Sequence, residues 1–483
     1  MELLRQYSLI GLVIYFIVIL FAVFRFNRNR SAEEYFLANR SLPFWALAVT
    51  FIASWWGAGS AVETADKAFE QGLSAFWIYG MPVLFSTFLM FLLAKGIRRI
   101  GTITQSQLLQ ERYSKTTSHI LSVLIVLFMT ITAASQMVGI GIFFESFLQI
   151  PYVTGVLLGT IIVIVYSFFG GFKGVVLTDM VQFVFLLIAS VLVFGFAWYY
   201  SNGWESMTLV AAQKELDGFT SFTHGISGNA IYIITFGSAW MIQANVWQRI
   251  SATRTPKDAQ KMIGLSFLVY IPLYLMVTVT GMLAIGLFDK MPEGGVIPGI
   301  IQQFMHPALG AVMFVGICSA IMSTLDSLLN TGAMVLSVDL FPIFKKGQVS
   351  QKEVVVAGKL ATLVIAAIGL LISIRIKSIL EVSWIAADFL ATGAFVPLTL
   401  GFIWKRGNHQ GALASMIFGT CFSLYNLALS LGLKLPALWK VASTEQVLIG
   451  MCGSLIIYVV ASLLTSQSDL GSRFVTKAMS KNS

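Results

Sequence analysis

Apolar runs of about 20 residues, each closed by charges or turn residues, recur from one end of this chain to the other. That repetition restricts the fold more than any motif does, because a run of this length is what a helix needs to cross a bilayer. Of the 483 residues, 57% are hydrophobic and only 11% charged, against roughly a quarter charged in a soluble domain. A transmembrane barrel would show short segments of alternating polarity instead, and the sequence has none. The expectation is an all-α polytopic membrane protein embedded in a lipid bilayer.

Hydropathy and helix breakers divide the chain into thirteen expected spans. They lie near 7–26, 43–67, 73–97, 119–148, 152–170, 173–200, 229–248, 262–288, 307–340, 353–376, 379–404, 410–431 and 446–465. The formal net charge of +9 comes from Lys and Arg gathered in short loops. On a soluble protein it would suggest a nucleic-acid partner; here it orients helices, and no nucleic acid is expected. The loops RFNRNRSAEEYFLANR, KGIRRIG with QERYSK, QRISATRTPKDAQK, FKKGQVSQK and KRGNHQ fall on one side. Loops such as SNGWESMTLVAAQKELDGF and DKMPEGGVIPG, more acidic or neutral, fall on the other. The N-terminus is then expected outside and the C-terminus inside. The first run ends in Arg25, Arg28 and Arg30 rather than a small-residue cleavage site, so it reads as a retained span. Cys318, Cys421 and Cys452 lie singly in apolar segments, and the four histidines sit at span ends or in loops. Neither type offers metal-ligand spacing.

Two spans are interrupted. The second contains W-G-A-G-S, and the seventh contains F-G-S-A-W with polar Gln243 and Asn245 beyond it. Five spans apart, they would cross the membrane in opposite directions. Paired interrupted helices in two inverted halves point to a transporter's midplane site. Glycines that merely let helices pack closely are the alternative.

Polar residues inside spans sharpen this. In the ninth span, Ala320, Ser323, Thr324 and Ser327 recur at helical spacing and form one stripe on an apolar helix. Hydroxyls and backbone carbonyls suit a small hard cation, although Ser and Thr also bond back to their own preceding turn. Asp326 stands beside the stripe, and a buried carboxylate needs a cation, a proton or a donor. In GGFKGVVLTDMVQ, Gly170 and Gly171 make a turn, and Asp179 lies nearly two turns into the sixth span. It reads either as a solvated helix-end carboxylate or as a second cation or proton ligand with Asp326 and Ser327. Glu63, Asp66, Lys67 and Glu70 read as a solvated acidic mouth that would concentrate cations.

GGFKGVVLTDMVQ, SAIMSTLDSLLNTGAMVLSVDLF and EEYFLANRSLPFWALAVTFIASWWGAGS together resemble the sodium/solute symporter family over roughly residues 33–405. The resemblance implies a LeuT-like core of two inverted five-helix repeats. Residues 1–42 would carry an extra helix and loop, 43–200 the first repeat, 201–228 an outer loop, 229–404 the second repeat, and 405–483 further helices and a tail. It implies co-transported sodium held by the carbonyls of Ala53, Trp56 and Ala320 and the hydroxyls of Ser323 and Thr324. A second cation or proton would sit at Asp179, Asp326 and Ser327. The small-molecule solute would contact Ser54, Trp55, Phe76, Tyr79, Gln136, Trp240, Gln243, Asn245 and Trp384, aromatic rings with a few amides that suit a small amphipathic compound. The segment ASWWGAG with TADKAFEQGLSAFW is similar to the choline-transporting branch, whose tryptophans cage a quaternary amine, with one cage position replaced around Thr132. No Arg or Lys is expected at mid-span in the candidate solute site, which speaks against a strongly anionic solute.

Other classes predict other features. A channel would carry a repeated filter loop, and an enzyme a reactive constellation such as H-E-x-x-H, a Cys/His pair or G-x-S-x-G. None is in the sequence, and the tail SQSDLGSRFVTKAMSKNS contains no signalling domain. Sodium-coupled uptake by alternating access is the leading expectation, with proton coupling on the same fold as its alternative.

Overall fold

The computed structural model describes residues 2–25, 31–345, 348–430, 436, 443–466 and 469–479. The basic run 26–30 and residues 346–347 of the FKKGQVSQK loop lie outside the described residues. Within them every regular element is helical. The first half comprises α1 (Glu2–Arg25), α2 (Ala32–Leu37), α3 (Phe44–Ala53), α4 (Thr64–Gln71), α5 (Gly80–Ile100), α6 (Gln105–Arg112), α7 (Lys115–Leu148), α8 (Tyr152–Tyr200) and α9 (Gly203–Gln213). The second comprises α10 (Ile226–Met241), α11 (Ala244–Ser251), α12 (Pro256–Leu283), α13 (Val296–Phe304), α14 (Pro307–Val335), α15 (Phe341–Phe344), α16 (Gln351–Arg375), α17 (Ile379–Gly393) and α18 (Phe395–Ile403). Then follow α19 (His409–Ser430), α20 (Ser443–Leu464) and α21 (Asp469–Met479).

Among the described residues, nine helices are long and apolar enough to cross a membrane. The four other expected spans each depart from a continuous helix for a local reason. In 43–67 the chain leaves α3 at Ala53 and resumes helix at Ala58, with a wide turn over Gly59–Glu63 before α4. The 152–170 span ends where Gly171 takes φ 54°, ψ −168°, a left-handed excursion that glycine tolerates. In 229–248 the interruption is not at F-G-S-A-W, which lies inside α10; α10 runs unbroken to Met241, and extended Gln243 separates it from α11. In 379–404, α17 and α18 meet at a bend of 45°.

The inner and outer helices differ as their composition requires. Of the most apolar window in 307–344, 83% is buried, against 28% in α1 and 28% in α20. α14 therefore forms the core, packed between α7 and α8, while α1 and α20 present Leu, Ile and Val outward as lipid-facing helices do.

Two charged groups expected at the solvent boundary are drawn into packing. Asp66 is not part of a free acidic mouth: its Oδ1 accepts the Val296 backbone N–H at 2.7 Å and caps the first turn of α13. Helix starts leave N–H groups unpaired, and a carboxylate there is favoured by the helix dipole. Lys67 and Glu70 pair at the surface at 2.9 Å. Arg112, read as a loop charge, is 1% exposed. It donates to the carbonyls of Gly401 and Trp404 at 2.8 and 2.9 Å, closing the carboxyl end of α18.

Candidate ion and solute site

The interruption between α3 and α4 leaves carbonyls that no helix partner takes, and the polar stripe of α14 faces them. Ser323 Oγ and Thr324 Oγ1 each lie 3.1 Å from the Ala53 carbonyl oxygen. Both also reach back to the Ala320 carbonyl, at 2.8 and 3.4 Å. The back-bonding to the preceding turn and the cross-helix contact are thus present together. Ala53, Ala320 and Ser323 are fully buried and Thr324 is 4% exposed. Four oxygens of the expected sodium set converge in a buried site. Trp56, whose carbonyl completes the set in the sequence reading, packs its ring on Tyr274 at 4.9 Å.

The solute candidates divide. Ser54, Trp55, Tyr79, Gln136, Trp240 and Gln243 line one cavity of ≈ 40 Å³ beside the break, and Thr324 lines it too. Trp55 Nε1 donates to Gln243 Oε1 at 2.5 Å, joining the two interrupted helices directly. Gln136 Oε1 accepts the backbone N–H of Ala58 at 2.8 Å, so an amide from α7 caps the resuming helix. Tyr79 and Trp240 stack at 5.9 Å, and Trp55 lies 6.3 Å from Trp240.

Phe76, Asn245 and Trp384 do not line this cavity. Phe76 packs on Phe222 and Tyr274, and Trp384 faces a different cavity along α17. Asn245 is buried in α11, where its carbonyl accepts from Arg249. Thr132 does line the cavity, as do Gly57, Gly59, Ser60, Val83 and Ser383, which the sequence reading did not assign. The two adjacent tryptophans are not one cage, since Trp55 alone of the pair faces the cavity.

The largest departure is Arg249. Placed by the sequence reading in a basic loop, it sits fully buried in α11, 3.6 Å from the Asp179 carboxylate of α8. Its Nη2 also donates to Ser327 Oγ at 2.7 Å and Thr50 Oγ1 at 3.2 Å, and Thr50 in turn donates to Asp179. Ser54 Oγ lies 3.2 Å from Ser327 Oγ, and Ser327 donates to Asp326 Oδ1 at 3.3 Å. Asp179, Ser327 and Asp326 are therefore linked, but around a guanidinium. A cation stands at mid-protein, paired with an internal carboxylate, and it does not line the solute cavity. The hint in the sequence was the helical spacing of apolar Val246, Trp247 and Ile250 around it, which carries the helix beyond the loop boundary drawn.

Two broken helices joined through Trp55 and Gln243, the first of them facing a buried oxygen cluster on α14, with a small aromatic and amide cavity alongside, define a secondary transporter of the inverted-repeat class. The chain belongs to the sodium:solute symporter family, whose model matches residues 35–419. It is 29% identical to the osmoregulated proline transporter OpuE of Bacillus subtilis, over 95% of each chain. It is 27% identical to the sodium/proline symporter of Staphylococcus aureus, over 95% of this chain and 93% of that one. Its fold is similar to a sodium-coupled sialic acid symporter in a substrate-bound outward-open state: TM-score 0.82, 19% identity, 96% of this chain and 99% of that one. It is also similar to Mhp1, a nucleobase-cation-symport-1 family transporter, with TM-score 0.60, 13% identity, 93% of this chain and 99% of that one. At family level the chain is a sodium-coupled solute symporter of the plasma membrane, and its relatives are transporters rather than enzymes.

Proposed function

We propose that this protein couples inward sodium movement to uptake of a small zwitterionic amino acid of proline's size. The observation that carries the reading is the double role of Thr324, whose hydroxyl lies 3.1 Å from the Ala53 carbonyl while its side chain lines the solute cavity. Sodium bound by Ala53, Trp56, Ala320, Ser323 and Thr324 would fix α3 against α14 and thereby shape the adjoining wall. Solute and ion would then be bound together, which coupling requires. One charge moving down 100 mV supplies about 2.3 kcal/mol, enough for roughly fifty-fold accumulation. Alternating access would follow from rocking of one bundle, with repeats at 43–200 and 229–404, around this site.

The chemistry of the cavity lining supports a compact amphipathic solute. Trp55, Tyr79 and Trp240 offer faces to an apolar ring, and Gln136 and Gln243 offer amides to charged ends. The proline-transporting relatives support the same class. At the second position, Arg249 already balances Asp179, which supports coupling through the first sodium site alone. Asp326, whose Oδ2 has no hydrogen-bond partner, is the remaining candidate for a proton.

The test is uptake of radiolabelled proline into proteoliposomes under an inward sodium gradient, a proton gradient or neither. Sodium-driven accumulation that excess unlabelled proline suppresses is expected. Accumulation driven by protons alone would replace the sodium reading, and sodium-driven uptake of a different solute would replace proline.

A further inference from the structure

Away from the break, α17, α19 and α20 surround a second cavity of ≈ 440 Å³, closed on one side by Tyr232 of α10. Its lining includes Glu381, Trp384, Asp388, Asn426 and Gln446. Glu381 and Asp388 lie seven residues apart on α17, about 10 Å along the axis. That is too far for one bare ion to be held by both carboxylates, and suits a molecule. Asp388 buries its Oδ1 with no hydrogen-bond partner. Asn426 is 7% exposed, and neither of its amide atoms is bonded. Buried polar atoms left open are unfavourable until a ligand or water fills them, and what Asp388 needs is a donor.

A protonated amine supplies such donors, with N–H groups for both Asp388 Oδ1 and the Asn426 carbonyl. Trp384 and Tyr232 meet edge to face at 5.3 Å, giving an apolar wall and π faces that attract a cation. Among the described residues no Lys or Arg lines the cavity. A zwitterion would bring its own carboxylate against Glu381 or Asp388, so this cavity selects against the kind of solute proposed for the first one. We propose that it is a binding site for a small organic ammonium ion bearing an apolar group.

Aromatic packing stands between this site and the first cavity. Trp384 packs on Phe236 at 5.6 Å, and Phe236 stacks on Trp240 at 4.7 Å with ring planes 2° apart. Trp240 lines the first cavity, so these rings form the wall that separates the two sites.

Calorimetric titration of the purified full-length protein with 2-phenylethylammonium, and in parallel with 2-phenylethanol, reads binding without reference to transport. The ammonium is expected to bind at least about tenfold more tightly than the alcohol, which has the same apolar part. Asp388→Asn should remove that preference, and Glu381→Gln, at an exposed position, should weaken ammonium binding roughly threefold. Trp55→Leu, in the first cavity, should leave it unchanged. Equal affinities for the two probes overturn the proposal, as does a preference that survives Asp388→Asn or is lost in Trp55→Leu. Should Asp388→Asn fail to fold by thermal unfolding, unaltered ammonium binding in Glu381→Gln overturns it instead. Proline uptake plays no part in these readouts, so this site and the solute assignment fail separately.

Discussion

Arg249 of α11 and Asp179 of α8 meet at 3.6 Å with neither side chain exposed, and this contact ties the second broken helix to α8. Removing one partner of a buried pair leaves the other charge uncompensated, at a cost of about 3–5 kcal/mol. Arg249→Gln and Asp179→Asn should each lower the thermal unfolding temperature and membrane yield sharply. The double variant should be more stable than the sum of the two effects allows. Additive losses in that cycle would show that the two charges do not stabilise each other.

Thr324→Ala deletes a hydroxyl that faces both the Ala53 carbonyl and the solute cavity. A hydrogen-bonding group directed at a charge contributes about 1.5–3 kcal/mol, so the sodium concentration for half-maximal uptake should rise by roughly tenfold or more. Thermal stability should change little. Uptake measured against sodium concentration decides the matter, and an unchanged sodium dependence would remove Thr324 from the ion site.

Gly57→Ala should stop transport while the protein still folds into the membrane. A Cβ at position 57 would lie 2.2 Å from Gln136 Oε1 and 2.9 Å from Thr324 Oγ1. It would therefore displace the cap on Ala58 and crowd the ion and solute positions at once. Gly228→Ala, with nothing within 4 Å of its added methyl, is the matched control and should transport normally. Uptake by the pair at equal membrane abundance separates a local block from a general intolerance of alanine.

Asp66→Ala tests whether the outer carboxylate is structural. Loss of a capping side chain costs about 0.5–2 kcal/mol, so a lower unfolding temperature is expected with the sodium dependence of uptake retained. A rise in half-saturating sodium without loss of stability would instead restore the reading of an acidic, cation-concentrating mouth.

The spans, the first interruption and the polar stripe of α14 were legible in the sequence because each rests on local regularity, whereas the second interruption falls after F-G-S-A-W, at Gln243. Apolar run length marks a crossing, the glycine pair of W-G-A-G-S marks the first break, and a spacing of three and four residues puts Ser323, Thr324 and Ser327 on one face. What only the tertiary structure decided is which side chain answers which charge. Arg249 read as a loop cation because charge in a short polar-flanked stretch usually faces water, yet α11 carries it inward to Asp179. Asp66 read as solvated until α13 brought an open N–H to it. Phe76, Asn245 and Trp384 fell away from the cavity because the rotation of each helix about its axis is set by packing against non-local neighbours. The helical period alone does not specify that rotation.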